Sequence, residues 1–362
     1  MAPVRIRAER DDLADALGRA FRAVGTRSAI PVLQGLLCET NGNKLHVTGT
    51  DLEITVQTSI EVEVMDGGRA VIPGRLLTDA VRRMPAGNIT IDAGGNEVII
   101  SGRGPEFRLR ALETSDFPSI SSDEGDGVAV DGVQLADSIA QVVIAASNDA
   151  ARPILTAVLF ETSDEGLRLV STDAYRLAVR DLFGIGLEGS GLVPARGLRE
   201  LARTIGAAQV TTAVLDREVV FSSERGILRL RLIEGKFPSY ASLLPDSFPA
   251  QVILDREEVL DALNRVFLVA EDHIPVRLEV SENGVDVTVS RQDVGGETEH
   301  LDGDYTGEEP ITVAFNPRYL ADGVGAIPTD KIRIRLVDGV KPAVIDDPED
   351  DSYLYLLMPV RV

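Results

Sequence analysis

The sequence predicts an α+β protein made of three tandem copies of one domain, each with two helices packed on antiparallel sheet. Three observations carry this. Pro31 in AIPVL, Pro153 in RPILT and Pro275 in HIPVR recur at intervals of 122 residues. Ala70-Val-Ile-Pro-Gly-Arg75 resembles Gly191-Leu-Val-Pro-Ala-Arg196 and, more weakly, Val313-Ala-Phe-Asn-Pro-Arg318, so three arginines keep nearly the same period. Each copy closes alike, in Asp116-Phe-Pro-Ser-Ile120, Lys236-Phe-Pro-Ser-Tyr240 and Leu357-Met-Pro-Val-Arg361. Domains at 1–121, 128–246 and 247–362 follow from these landmarks.

The elements repeat in the same order. A helix opens the first copy from Glu9 to Val24, where Leu13, Leu17, Ala20, Phe21 and Val24 form one apolar stripe. Its counterparts run from Val133 to Ser147 and from Asp255 to Ala270. Alternating strands follow at Lys44 to Thr48, Leu167 to Val170 and Val285 to Val289. A second helix begins at Pro73, Pro194 or Pro317, because proline is tolerated in a first turn. Strands at Glu97 to Ile100, Arg229 to Leu232 and Lys331 to Leu336 close each copy, separated by turns such as Asp92-Ala-Gly-Gly-Asn96.

Composition narrows the class. Apolar residues make up 44 % of 362, enough for packed cores and too many for general disorder. The opening MAPVRIRAERDD has no apolar stretch behind its charges, which argues against a secretory signal. No apolar run approaches the roughly 20 residues that span a bilayer. The longest, near Tyr353 to Val360, suits a strand. One cysteine, Cys38, fits a reducing cytoplasm. The net charge of −22 repels polyanions in bulk. The six helical segments nevertheless hold twelve basic and twelve acidic residues, so the acid surplus lies elsewhere.

Catalytic chemistry is not legible. His46, His273 and His300 lack metal-ligand spacing, and Cys38 reads as a core thiol. Gly184-Ile-Gly186-Leu-Glu-Gly189 fits a nucleotide-loop pattern by letter but runs into Gly191-Leu-Val-Pro194 rather than a helix. Asp346-Asp-Pro-Glu-Asp-Asp351 reads as a solvated acidic loop. The expectation is a protein that is no enzyme and takes no cofactor or metal.

Thr48-Gly-Thr-Asp-Leu-Glu-Ile54, Ser171-Thr-Asp-Ala-Tyr-Arg-Leu-Ala178, Gly235-Lys-Phe-Pro-Ser-Tyr240 and Met358-Pro-Val-Arg-Val362, in that order, resemble the bacterial DNA polymerase III beta subunit, the beta sliding clamp family. The resemblance runs from Val4 to Val362. It implies a head-to-tail homodimeric ring of six similar domains, with helices around the hole and sheets outside. Duplex DNA, a replicative polymerase, a clamp loader and repair proteins are the implied partners. Arginines on the helices would meet phosphates without reading sequence. Arg19, Arg22, Arg27, Arg75, Arg82, Arg83, Arg196, Arg199 and Arg203 are the candidates. Arg27, Arg75 and Arg196 match the family pattern most directly.

The same resemblance implies an apolar pocket for short partner peptides. Its positions here are Leu155, Thr172, Tyr175, Arg176, Leu177, Pro238, Leu243, Val340, Pro342, Met358, Pro359, Val360 and Arg361. Phe107, Phe267 and Leu268 match the dimer contacts. An alternative is a paralogous clamp with altered partner or inhibitor binding, and a remoter one is an enzyme built on the Gly184 loop.

Overall fold

The computed structural model describes residues 3–25, 29–204, 209–245, 247–270 and 274–361, without the side chains of Ser163, Ala202, Arg203 and Thr204. Among the described residues there are six helices, α1 (Arg10–Phe21), α2 (Gly74–Arg83), α3 (Gly132–Val143), α4 (Ala195–Thr204), α5 (Arg256–Val266) and α6 (Pro317–Gly325). All the strand pairs are antiparallel. The chain forms two compact units, Met1–Ala136 with Glu200–Leu232 and Asp137–Arg199 with Ile233–Val362. The middle repeat is therefore divided between them.

The first unit contains a five-stranded sheet in the order Glu63–Asp66, Val4–Glu9, Asn88–Gly94, Glu97–Ser101, Glu106–Arg110. Its eight-stranded sheet runs Val128–Asp131, Gln209–Val214, Glu218–Ser223, Gly226–Arg231, Ile54–Glu61, Lys44–Thr50, Gly35–Asn41, Arg69–Pro73. Leu13 and Leu17 of α1, Leu77 and Val81 of α2, and Ile6, Leu36, Val47, Ile72 and Ile91 from the strands fill the core between them. The second unit contains a nine-stranded sheet, Gly191–Pro194, Ala157–Ser163, Gly166–Thr172, Arg176–Phe183, Tyr353–Leu357, Ala343–Asp346, Lys331–Leu336, Ala250–Asp255, Gly303–Thr306. A four-stranded sheet runs Gly295–Leu301, Gly284–Arg291, Val276–Ser281, Ile311–Phe315.

Each large sheet crosses a repeat boundary. In the first unit Ile54 faces Leu230 and Gln57 faces Ile227. In the second, Arg176 faces Leu357 and Arg180 faces Tyr353. Ile54 and Arg176 are 122 residues apart, so the receiving strands begin at equivalent positions of the repeat, while their partners Leu230 and Leu357 are 127 apart.

The opening helices have side-chain caps. The carboxylate of Glu9 accepts from the Asp11 amide at 2.5 Å, and that of Asp255 accepts from Glu257 and Glu258 at 3.0 and 3.2 Å. The opening helices end three or four residues before the apolar periodicity does. Beyond Phe21, Val143 and Val266 the backbone tightens to three-residue turns, with Val24 donating to Phe21 and Ala146 to Val143. Pro73 and Pro194 end strands and stand directly before α2 and α4, Pro73 as the cap residue of α2, while Pro317 occupies the first turn of α6. The fixed φ of proline suits either role. No helix among the described residues is long and apolar enough to cross a membrane.

The contact between opening helix and sheet is solved in two ways. A Cβ on Gly49 would lie 2.1 Å from the Ala20 carbonyl oxygen of α1, so only glycine permits the approach. One period later Ser171 donates its hydroxyl to the Val142 carbonyl of α3. Gly49→Ala is expected to cost about 2 kcal/mol, the overpacking range, in a urea titration. An unchanged midpoint would mean the helix is free to withdraw.

Candidate functional site

The Thr-Asp signature builds the same turn twice. Thr50 Oγ1 accepts from Leu52 N at 3.1 Å and donates to the Ile54 carbonyl at 3.1 Å, and Asp51 Oδ1 accepts from Glu53 and Ile54. In the second repeat Thr172 Oγ1 accepts from Ala174 at 3.1 Å and donates to the Arg176 carbonyl at 2.7 Å, while Asp173 Oδ1 accepts from Tyr175 and Arg176. Local side-chain bonds of this kind hold the chain in a left-handed residue at the third position. Leu52 has φ 78° and Ala174 φ 79°.

In the second unit this turn becomes a polar anchor for an apolar rim. Arg176 Nε donates to Asp173 Oδ2 at 3.0 Å, and its Nη1 reaches Asp322 of α6 at 2.5 Å and the Tyr355 hydroxyl at 3.3 Å. Its guanidinium lies 4.2 Å from the centre of the Tyr319 ring. Burial opposes the charge, but Tyr355, Asp322 and Asp173 outweigh it and raise the pKa of Arg176. Tyr175 stacks on Tyr319 at 6.5 Å and remains 57 % exposed. The Met358 amide donates to the Tyr175 carbonyl at 2.9 Å, so the C-terminal tail leaves the sheet beside this turn.

The expected pocket residues are not equivalent. Tyr175, Leu243, Val340, Met358 and Val360 are exposed apolar side chains, and Pro238 is exposed too. Leu155, Pro342 and Pro359 are half-buried. Leu177 is a correction: it is 1 % exposed and packs with Val170, Phe237 and Leu356, so it supports the surface from beneath. Thr172 and Arg176 are likewise buried and act by shaping the turn. Val340, Met358, Pro359, Val360 and Arg361 line a cavity of about 620 Å³. Arg277, Thr312, Val313, Ala314 and Gly339 complete it. Sequence reading missed those five, because only the pairing of Val360 N with the Ala314 carbonyl brings the tail to that sheet edge.

The helix arginines differ in exposure and in the contacts that hold them. Arg75 is exposed in the first turn of α2, 3.9 Å from Asp79. Arg82 and Arg83 are exposed in its last turn, where the helix dipole favours cations. Arg196 and Arg318 are exposed at the starts of α4 and α6. Arg19 pairs with Asp15 at 3.4 Å and Arg22 with Glu200 at 3.0 Å. Arg199 Nη2 donates to the carbonyl of Val143, the last residue of α3, at 2.9 Å. These three have structural partners. Arg27 lies outside the described residues, as do the side chain of Arg203 and all of His273.

Phe107 is half-buried on Glu106–Arg110, the edge strand of the five-stranded sheet. Phe267 caps α5 and Leu268 follows it, both exposed. The edge strand of the four-stranded sheet, Gly295–Leu301, is fastened to α5 by Arg265, whose Nε and Nη2 donate to Glu299 at 2.7 and 2.6 Å.

His300 Nδ1 lies 2.7 Å from Asp286, whose hydrogen bond raises the histidine pKa. Burial pushes the Cys38 thiol up to about 12. Gly184 to Gly189 join two strands and open no helix. The acidic run corrects the expectation of a solvated loop: Asp346 is 1 % exposed, 2.8 Å from Arg333 and paired with Arg335. Asp350 pairs with Arg180 at 2.8 Å. Among the described residues no group of three or more His, Cys, Asp or Glu is placed to hold a metal ion.

Three family models match the chain in order: DNA polymerase III beta subunit N-terminal domain over residues 4–121, central domain over 129–239 and C-terminal domain over 241–361. The beta sliding clamp of Streptomyces coelicolor is 30 % identical over 375 residues, covering 99 % of this chain and 100 % of its own. The solved beta sliding clamp of C. crescentus superposes with a TM-score of 0.94 at 29 % identity, over 100 % of both chains. The DnaN sliding clamp of Bartonella birtlesii bound to griselimycin gives a TM-score of 0.94 at 28 % identity, over 99 % and 100 %.

The left-handed turn residue yields a stability prediction. Ala174→Gly should stabilise the protein by about 0.5–1 kcal/mol, because glycine takes that φ without the Cβ penalty, and Ala174→Val should destabilise it. Chemical denaturation of the two variants checks the order, and the reverse order would contradict the turn.

Proposed function

This chain belongs to the DNA polymerase III beta subunit family, and we propose that it works as a beta sliding clamp, a non-catalytic processivity factor that encircles duplex DNA and tethers a replicative polymerase. The observation that carries this reading is the match of all three family domains, in order, along residues 4–361. A clamp must hold DNA without stopping on it. Phosphate contacts suit that, since they carry affinity but no sequence information. The exposed Arg75, Arg82, Arg83 and Arg196 are the residues assigned to this contact. Arg22 and Arg199 contribute through the helix ends they anchor and Arg19 through its pair with Asp15 within α1; Arg27 is assigned from the family resemblance and Arg203 from its place on a helical segment of the sequence. The acidic remainder of the chain repels DNA from other faces.

Partner proteins dock by a short apolar segment against Tyr175, Leu243, Val340, Met358 and Val360, the exposed apolar residues of the second unit's rim. Such a site binds extended peptides with modest affinity, which permits polymerase, clamp loader and repair proteins to exchange. The ring closes by pairing of two copies, head to tail. The open edge strand bearing Phe107 on one copy meets the edge strand beside Phe267 and Leu268 on the other, which removes both edges. A cytoplasmic setting, with ATP consumed by a separate loader, completes the reading.

Retention on DNA tests it. With a clamp loader and ATP the protein should stay on nicked circular DNA and be lost when the circle is linearised. Equal behaviour on both forms would exclude topological binding. Mutating Arg75 and Arg196 together should weaken DNA binding and flatten its salt dependence, by a slope of about 0.9 for each phosphate no longer neutralised. An unaltered slope would remove these arginines from the DNA-facing surface.

A further inference from the structure

We propose that Met358 is a redox modification site: peroxide converts its thioether to the sulfoxide, which weakens partner docking at the rim, and enzymatic reduction restores it. The proposal rests on the partner-docking reading above and adds a regulation of that same surface. Met358 is 37 % exposed and lines the cavity beside the tail. Among the described residues of that lining, which include Val313, Ala314, Val340 and Val360, it is the one sulfur-bearing side chain. Its backbone is pinned on both sides. The Met358 amide donates to the Tyr175 carbonyl at 2.9 Å, and the Val360 amide donates to the Ala314 carbonyl at 2.8 Å. Pro359 between them has a fixed φ. The thioether is therefore held where a small oxidant reaches it and where an apolar partner side chain would cover it.

The other sulfur atoms stand differently. Cys38 is buried, and burial pushes its thiol up to about 12, so little of the reactive thiolate forms. Met84 is 3 % exposed within the core of the first unit. Met65 is exposed, but it belongs to the edge strand Glu63–Asp66 of the first unit, and Met1 lies outside the described residues. Oxidation is a two-electron oxygen transfer. The sulfur lone pair attacks one peroxide oxygen, an S–O bond forms and the O–O bond breaks, and the departing oxygen takes the proton and leaves as water. The product carries a polar oxygen on a side chain that was flexible and apolar. Covering that oxygen with an apolar partner group costs affinity. A sulfoxide reductase reverses the change: a dithiol is oxidised to a disulfide and the oxygen leaves as water.

The test uses fluorescence anisotropy of the full chain with a labelled short peptide carrying two leucines and one phenylalanine. Binding is measured before and after treatment with hydrogen peroxide, which catalase removes before the peptide is added. Mass mapping of the treated chain should find an added oxygen on Met358 and on Met65 and none on Met84. The treated chain should bind the peptide about tenfold more weakly. Methionine sulfoxide reductases for both sulfoxide epimers, with a dithiol, should restore the affinity. Met65→Leu should lose affinity on treatment as the unmodified chain does. Met358→Leu, whatever its starting affinity, should bind equally before and after treatment. An unoxidised Met358 in a chain whose Met65 is oxidised would overturn the proposal, as would an oxidised Met358 with unchanged affinity. So would a loss that persists in Met358→Leu, or one that the reductases do not reverse. Failure of the untreated chain to bind the peptide at millimolar concentration would instead overturn the docking reading on which the proposal stands.

Discussion

The pairing of strands across repeat boundaries is the constraint on which the rest of this structure depends. A strand edge left open exposes a row of unpaired amides and carbonyls. Two edges are satisfied by pairing between successive repeats: Ile54–Glu61 takes Gly226–Arg231, and Arg176–Phe183 takes Tyr353–Leu357. At both seams the turn that begins the receiving strand is held to the neighbour's departing chain by an equivalent backbone hydrogen bond. Arg231 donates to the Glu53 carbonyl at one seam and Met358 to the Tyr175 carbonyl at the other, both at 2.9 Å.

One backbone frame thus carries two different surfaces. At the first seam the frame displays Glu53 and Arg231, a polar combination. At the second it displays Tyr175 and Met358, beside an arginine whose charge is balanced by Asp173 and Asp322. Neutralising Arg176 beneath the rim lets a buried cation hold the turn without making the surface above it polar. The division of labour between copies follows from side chains laid on a repeated hydrogen-bond pattern.

Charge is distributed by the same logic. The helices are nearly neutral within a strongly acidic chain, and their arginines serve two purposes. Arg22 and Arg199 fasten helix ends to neighbours, through Glu200 and the Val143 carbonyl, while Arg75, Arg82, Arg83 and Arg196 stand exposed. The buried Asp346 shows the reverse case. Two arginines hold a carboxylate that the sequence presents as part of a solvated acidic run.

The sequence by itself determined the three-fold repeat, the six helices and the family, because periodicity and turn chemistry are local and recur at fixed spacing. It also located the Thr-Asp turns, since their hydrogen bonds span only two to four residues. Only the tertiary structure decided which apolar residues face outward. Leu177 and Tyr175 sit two positions apart, yet one is core and the other rim, because the strand pairing of Leu177 with Leu356 buries it. Arg277 and Ala314 were invisible as part of the site for the same reason. Their approach to the tail depends on hydrogen bonds between segments far apart in the chain, and no local pattern encodes such a meeting.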